Sequence, residues 1–135
     1  AAFENIVEAT ILLSGLGFES GGLSIAHSLT RGFSALPFLN ASLHGEQVAF
    51  GLLAQLCLEQ RPTEFLDDMV SFYRQLGLPT SLKDLGFAGD VAEGIKTIAE
   101  RSVAEAPYLK QFVGAVTVET IAAALTKANG LAIAA

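Results

Sequence analysis

Charge is what this sequence has least of. Asp, Glu, Lys and Arg make up 16% of its 135 residues, against about 25% in ordinary soluble domains. Mean hydropathy is +0.48. A domain this small has much surface per unit volume and needs polar residues to cover it. The shortage leaves two expectations: association with a membrane, or a large apolar face covered by something outside this sequence. The first lacks its main requirement. A spanning helix needs about 20 consecutive apolar residues. The most apolar stretches, 6–18 and 121–135, are too short or are broken by Glu8, Lys127 and Asn129. No basic segment leads into an apolar run, so no signal peptide is visible. The chain begins without Met, directly in a helical pattern. The expectation is therefore a fragment, away from the membrane, whose covering face belongs to a missing segment or another subunit.

Basic residues are also scarce. Eight Lys and Arg against fourteen Asp and Glu give a net charge of −6, which argues against the basic stripe of a nucleic-acid binder. One cysteine, Cys57, cannot form an internal disulfide. It lies in an apolar helical run and is expected to be a small buried filler. A cytoplasmic setting fits this cysteine usage. No run alternates with period two, so no strand is expected. With no strand there is no glycine-rich turn of the dinucleotide-binding kind, and no such fold in this chain.

What is present is helical punctuation. Residues 2–16 carry Phe3, Ile6, Val7, Thr10, Ile11 and Ser14 near 3.6 spacing, with Gly15 and Gly17 as the expected stop. A second helix is expected from near Gly22 to Arg31, then irregular chain through Pro37 and Asn40. A third, 46–60, faces Val48, Leu52, Leu53 and Leu56 one way, and its leading Glu46 suits a helix N-terminus. Pro62 fits the first turn of a fourth, whose apolar stripe reads Phe65, Met69, Phe72 and Leu76 before the stop at Gly77-Leu78-Pro79. Ser81 to Leu85 makes one or two turns at most, with Ser81 and Asp84 in capping-box spacing. Asp90 caps a fifth helix that Pro107 closes. Residues 111–116 read as loop, and Thr117 caps a last helix to about Asn129. The fold class is all-α, a helical bundle of five to six main helices in one domain, 1–135.

The stretch with chemical content runs from Ser14 to Val48. It holds both histidines of the chain, His27 and His44, among Gly15, Gly17, Gly21, Gly22 and Gly45. Two histidines 17 residues apart do not define a metal site by spacing, since local sites use close pairs such as i, i+4. Two readings stand side by side. Consecutive helices bring the pair together on a metal, or His27 is a hydrogen-bonded core residue and His44 a helix-start residue. A catalytic zinc takes three protein ligands, so a carboxylate would have to complete the site, from Glu19, from Glu46 or from outside the chain. The glycines fit either a ligand close to the backbone or simple helix ends. Phe33, Phe38 and Phe50 read as core. Arg31 reads as a solvated helix-end charge that stands near the histidine pair and could meet a phosphate. Ser14, Ser20 and Ser24 have no general base beyond the same histidines.

The segment Leu12-Leu13-Ser14-Gly15-Leu16-Gly17-Phe18-Glu19-Ser20-Gly21-Gly22-Leu23, then Ala26-His27, closely resembles glycerol dehydrogenases, members of the metal-dependent "iron-containing" alcohol dehydrogenase family. His44-Gly45-Glu46 with Val48-Ala49-Phe50-Gly51 resembles that family's second histidine motif, and Leu76-Gly77-Leu78-Pro79 also fits. The resemblance covers nearly the whole chain. It implies the later part of a C-terminal helical domain of the dehydroquinate-synthase-like kind, with the NAD-binding α/β domain lying upstream and absent here. It implies one divalent metal, zinc or alternatively ferrous iron, held by His27, His44 and an aspartate outside this chain. It implies NAD-linked oxidation of glycerol or a similar small polyol, in a homo-oligomeric enzyme, with this chain inactive on its own. Phe18, just before the first histidine motif, would wall the substrate pocket. Where the family often has a basic residue after His44-Gly45-Glu46, this chain has Gln47, expected to alter only a surface contact. The alternatives are a non-catalytic helical oligomerisation module and a related metal-dependent alcohol dehydrogenase with another substrate.

Overall fold

The computed structural model describes residues 1–134, with side chains placed through Leu131. Every regular element among them is helical. The chain opens with a rod: α1 (Ala2–Glu8), a π-helical segment (Ala9–Leu13) and α2 (Ser14–Ser20), continuous in backbone conformation. Gly15 and Gly17 do not stop it. A glycine inside a helix costs about 1 kcal/mol against alanine and does not forbid the next turn. The rod ends only at Gly21 and Gly22, whose N–H groups both bond to the Gly17 carbonyl. The chain then bends by 96° into α3 (Ile25–Phe33).

Four helices form the core. α3 packs on both α4 (His44–Leu58) and α6 (Val91–Glu105), and α7 (Val118–Ala134) packs on the other side of both, closing a ring. α5 (Thr63–Leu76) leans on α4 and α7. Leu29, Phe33, Leu39, Phe50, Leu53, Ile98, Ile121 and Leu125 fill the middle. The rings of Phe33 and Phe50 meet across α3 and α4, with centroids 6.0 Å apart. Two glycines set how close the helices come. A methyl on Gly32 would run into the Ile98 carbonyl of α6, and one on Gly51 would sit 2.6 Å from the Ala26 carbonyl oxygen of α3. No L-residue larger than glycine fits either crossing without a shift.

Local signals predict some helix ends and miss others: α3 begins at Ile25, not near Gly22, and α4 spans His44–Leu58, not 46–60. Asp90 accepts from the Glu93 N–H at 2.9 Å and opens α6. Thr117 accepts from the Thr120 N–H and opens α7, which runs past Asn129 and Gly130. Pro62 stands immediately before α5 and Gly77 ends it in the left-handed conformation. The apolar face of α5 is not the expected one. Leu66, Val70 and Tyr73 are buried, with the Tyr73 hydroxyl donating to the Ala49 carbonyl at 3.1 Å. Phe65, Phe72 and Leu76 face outward. Two stripes one residue apart both run at helical spacing, and the bundle buries the one whose tyrosine reaches a backbone acceptor. Phe38, expected in the core, is also exposed, edge-on to Phe87 with centroids 5.9 Å apart.

The rod buries none of its residues. Phe3 is 78% exposed, Ile6 65% and Ile11 72%. The apolar excess of the composition is concentrated here and on the outer stripe of α5. Among the described residues no single helix is long and apolar enough to cross a membrane.

Candidate metal centre

His27 sits in the first turns of α3 and His44 is the first residue of α4. Their imidazoles converge, with ring centroids 5.6 Å apart and planes tilted by 56°. The parts that hold them there are specific. Between the helices, Pro37–Ala41 forms a 3₁₀ turn. Gln47, on the first turns of α4, donates from Nε2 to the Leu39 carbonyl and to the Ser42 hydroxyl, each at 3.1 Å. Gln47 is therefore buried and ties α4 to the turn before His44; it is not the surface residue expected from sequence. Glu46 accepts from the Leu43 N–H at 2.7 Å, closing the helix end. On the other side, Gln55 of α4 accepts from the Ala26 N–H at 3.1 Å, one residue before His27. The Gln111 side chain, from the 3₁₀ turn Pro107–Gln111, packs against Gly22 at the entry into α3.

The pair lines a cavity of ≈ 380 Å³ together with Leu23, Thr30, Arg31 and Tyr108. Neither imidazole makes a hydrogen bond among the described residues, so each keeps a nitrogen lone pair free. Burial, and after it the charge of His44, holds His27 below its ordinary pKa. A neutral ring is the ligating form. Two imidazoles sharing one zinc ion at about 2.0–2.1 Å each have centroids about 5–6 Å apart. The observed separation fits one ion between them.

The carboxylates weighed from sequence do not join the pair. Glu46 is spent on the Leu43 N–H, and Glu19 is exposed on α2. Among the described residues no cluster of three or more His, Cys, Asp or Glu is placed to hold a metal. Phe18 is 62% exposed on α2 and is not among the residues lining this cavity. Cys57 is buried on the far part of α4, where burial raises its thiol pKa against the opposing charge of Lys127. Sequence reasoning missed Tyr108, Thr30 and the structural part of Gln47. Tyr108 follows Pro107 after the end of α6, and a proline there marks a turn but does not say what the turn faces.

No family model matches the chain. Curated relatives do. The chain is 40% identical over 128 residues to a glycerol dehydrogenase of Citrobacter freundii, covering 95% of this chain and 35% of that protein. It is 46% identical over 101 residues to a glycerol dehydrogenase of Thermotoga maritima, covering 75% of this chain and 28% of that one. It superposes on the crystal structure of a probable glycerol dehydrogenase from Sinorhizobium meliloti with a TM-score of 0.91 at 38% identity, over 98% of this chain and 37% of that chain. By sequence and by fold this chain is similar to the glycerol dehydrogenases. It corresponds to their helical C-terminal part and spans about a third of the length of the relatives it matches.

Proposed function

We propose that this chain is the metal-binding helical part of an NAD-dependent glycerol dehydrogenase that oxidises glycerol to dihydroxyacetone. One observation carries the reading: two hydrogen-bond-free imidazoles, from two helices, converge at 5.6 Å on a cavity large enough for a three-carbon polyol. The relatives' names support the substrate, and their greater length supports an upstream part that binds NAD and supplies the missing carboxylate.

His27 and His44 would hold the ion, zinc or alternatively ferrous iron, as neutral nitrogen donors. Such an ion, when bound, acts as a Lewis acid that lowers the pKa of a substrate hydroxyl. Two neutral ligands leave most of the dication's charge to act on that hydroxyl. NAD, held by the upstream part, would supply the hydride acceptor for the carbon that carries this hydroxyl, and the hydroxyl proton would leave to solvent or a base. The chain's own share is to orient the two rings through Gln47, Gln55 and Gly51, and to wall the cavity. Phe18 remains the proposed substrate-side wall from the rod once the upstream part is in place. The exposed apolar rod supports a cover by that upstream part. A second copy of the chain on the same surface, as an oligomer or a non-catalytic interaction module, is the second reading.

The test uses the longer enzyme. His27→Ala and His44→Ala should each abolish stoichiometric zinc, measured by elemental analysis, and lower glycerol oxidation by several orders of magnitude. Full activity in the double variant would overturn the proposal, as would NAD-linked turnover by the 135-residue chain alone.

A further inference from the structure

The polar groups around the histidine cavity divide into two sets. Thr30 donates its hydroxyl to the His27 carbonyl at 2.7 Å, and Ser34 donates to the Thr30 carbonyl at 2.8 Å. Gln47 is held by Leu39 and Ser42. These are occupied with their own backbone and turn. Arg31 and Tyr108 are not. Among the described residues the Arg31 guanidinium has no carboxylate within ion-pair reach, and the Tyr108 hydroxyl has no hydrogen-bond partner. Arg61 pairs with Glu59, Lys96 with Glu100 and Arg101 with Glu105, all away from this cavity.

Position adds to this. Arg31 stands four residues after His27 on α3, so the two side chains rise from one face with Cβ atoms about 5–6 Å apart. A cation in the last turn of a helix suits the dipole in any setting. What that does not explain is a cavity whose lining holds a guanidinium, a free phenol and two imidazoles, and no acidic residue. The fixed charge in that lining is the positive charge of Arg31. A guanidinium presents paired N–H groups that match a carboxylate or phosphate edge.

We propose that Arg31, with Tyr108, forms an anion subsite beside the histidine pair, so that small hydroxy acids or polyol phosphates bind alongside neutral polyols. The inference rests on the metal-site reading above. The hydroxyl end of such a ligand faces His27 and His44, and its carboxylate or phosphate meets Arg31 one helical turn away. The same anionic chemistry could come from the phosphates of the dinucleotide, and the test has an arm for each source.

The first measurement needs no turnover. The zinc-free chain at pH 8 is titrated with inorganic phosphate and with glycolate, following the ring C–H signals of His27 and His44 by NMR. Saturable shifts are expected, weakened about tenfold or more in Arg31→Gln and partly restored in Arg31→Lys. Equal binding by Arg31→Gln overturns the subsite. The second uses the longer enzyme with racemic glycerate as competitor of glycerol. In Arg31→Gln the inhibition constant of glycerate should rise about tenfold, well beyond any change in the KM for glycerol. A rise in the KM for NAD instead assigns the anion to the dinucleotide and keeps the subsite. No change in either constant, or equal rises for glycerate and glycerol, overturns it, as it would if an upstream carboxylate already occupies Arg31. The zinc and iron content of the same samples separates the two proposals. Wild-type enzyme holding neither zinc nor iron defeats the metal-site reading, whereas metal-loaded Arg31→Gln with unmoved selectivity defeats only the subsite.

Discussion

Gly51 of α4 lies directly against the backbone of Ala26 on α3, so close that a methyl group would sit 2.6 Å from the Ala26 carbonyl oxygen. Ala26 precedes His27, and α4 begins with His44. The contact therefore sets the distance between the two histidines as well as between two core helices. Gly51→Ala gains about 1 kcal/mol of helix propensity but overpacks a backbone contact, which costs about 1–3 kcal/mol. The expected outcome is a lower denaturant midpoint and weaker zinc binding by the longer enzyme. Unchanged stability together with unchanged zinc affinity would remove this contact from the account of the site.

Gln47 makes a prediction of a different kind. Its amide holds the 3₁₀ turn through the Leu39 carbonyl and the Ser42 hydroxyl. Gln47→Leu keeps most of the volume and removes two hydrogen bonds, leaving the Leu39 carbonyl to the Ser42 N–H and hydroxyl, at a net cost of about 0.5–1.5 kcal/mol for each bond. Loss of the donor frees the segment before His44, so amide exchange in residues 37–43 should speed up more than in α6. Equal acceleration in both would mean global destabilisation only.

The helix starts were legible because they are local. Asp90 with Glu93, and Thr117 with Thr120, place cap and partner three residues apart, and the structure contains both hydrogen bonds. Faces and stops were less legible because they depend on partners. On α5 the outward stripe of Phe65, Phe72 and Leu76 is as apolar and as periodic as the buried one, and only packing against α4 and α7 separates them. Gly15 and Gly17 read as a stop because glycine usually marks one, yet no competing bond ends the rod until Gly21 and Gly22 turn back to Gly17. The histidines were legible as a pair by their motifs. Their convergence was not, because it depends on a 3₁₀ turn, a buried glutamine and a glycine crossing that no spacing rule encodes.

Protonation of His27 should oppose folding. Its folded pKa lies below its ordinary value of 6.5, first through burial and then through the charge of His44. The unfolded chain therefore binds this proton first as the pH falls. Stability from this group is complete above about pH 6.5 and declines as the pH drops through that value toward the folded pKa. A ring C–H titration should give a His27 midpoint below 6.5, and His44→Gln should move it upward but not fully back, because burial remains. A midpoint at or above 6.5 in the wild-type chain would contradict this electrostatic picture.

The rod gives the sharpest contrast between this chain and the longer enzyme. Ile11 is 72% exposed, in a segment that buries none of its residues. Ile11→Asp should change the stability of the 135-residue chain by no more than about 0.5 kcal/mol, as surface substitutions do. It should also reduce any self-association, since a contiguous apolar helix face is otherwise open to water. If the upstream part covers the rod, the same substitution there places a carboxylate against apolar surface. Its cost is then several kcal/mol, read as a large fall in the unfolding midpoint of the longer enzyme. A small effect in both settings would mean that the rod stays exposed in the enzyme. A large effect in the chain alone, with loss of a dimer seen by sedimentation, would give the cover to a second copy instead.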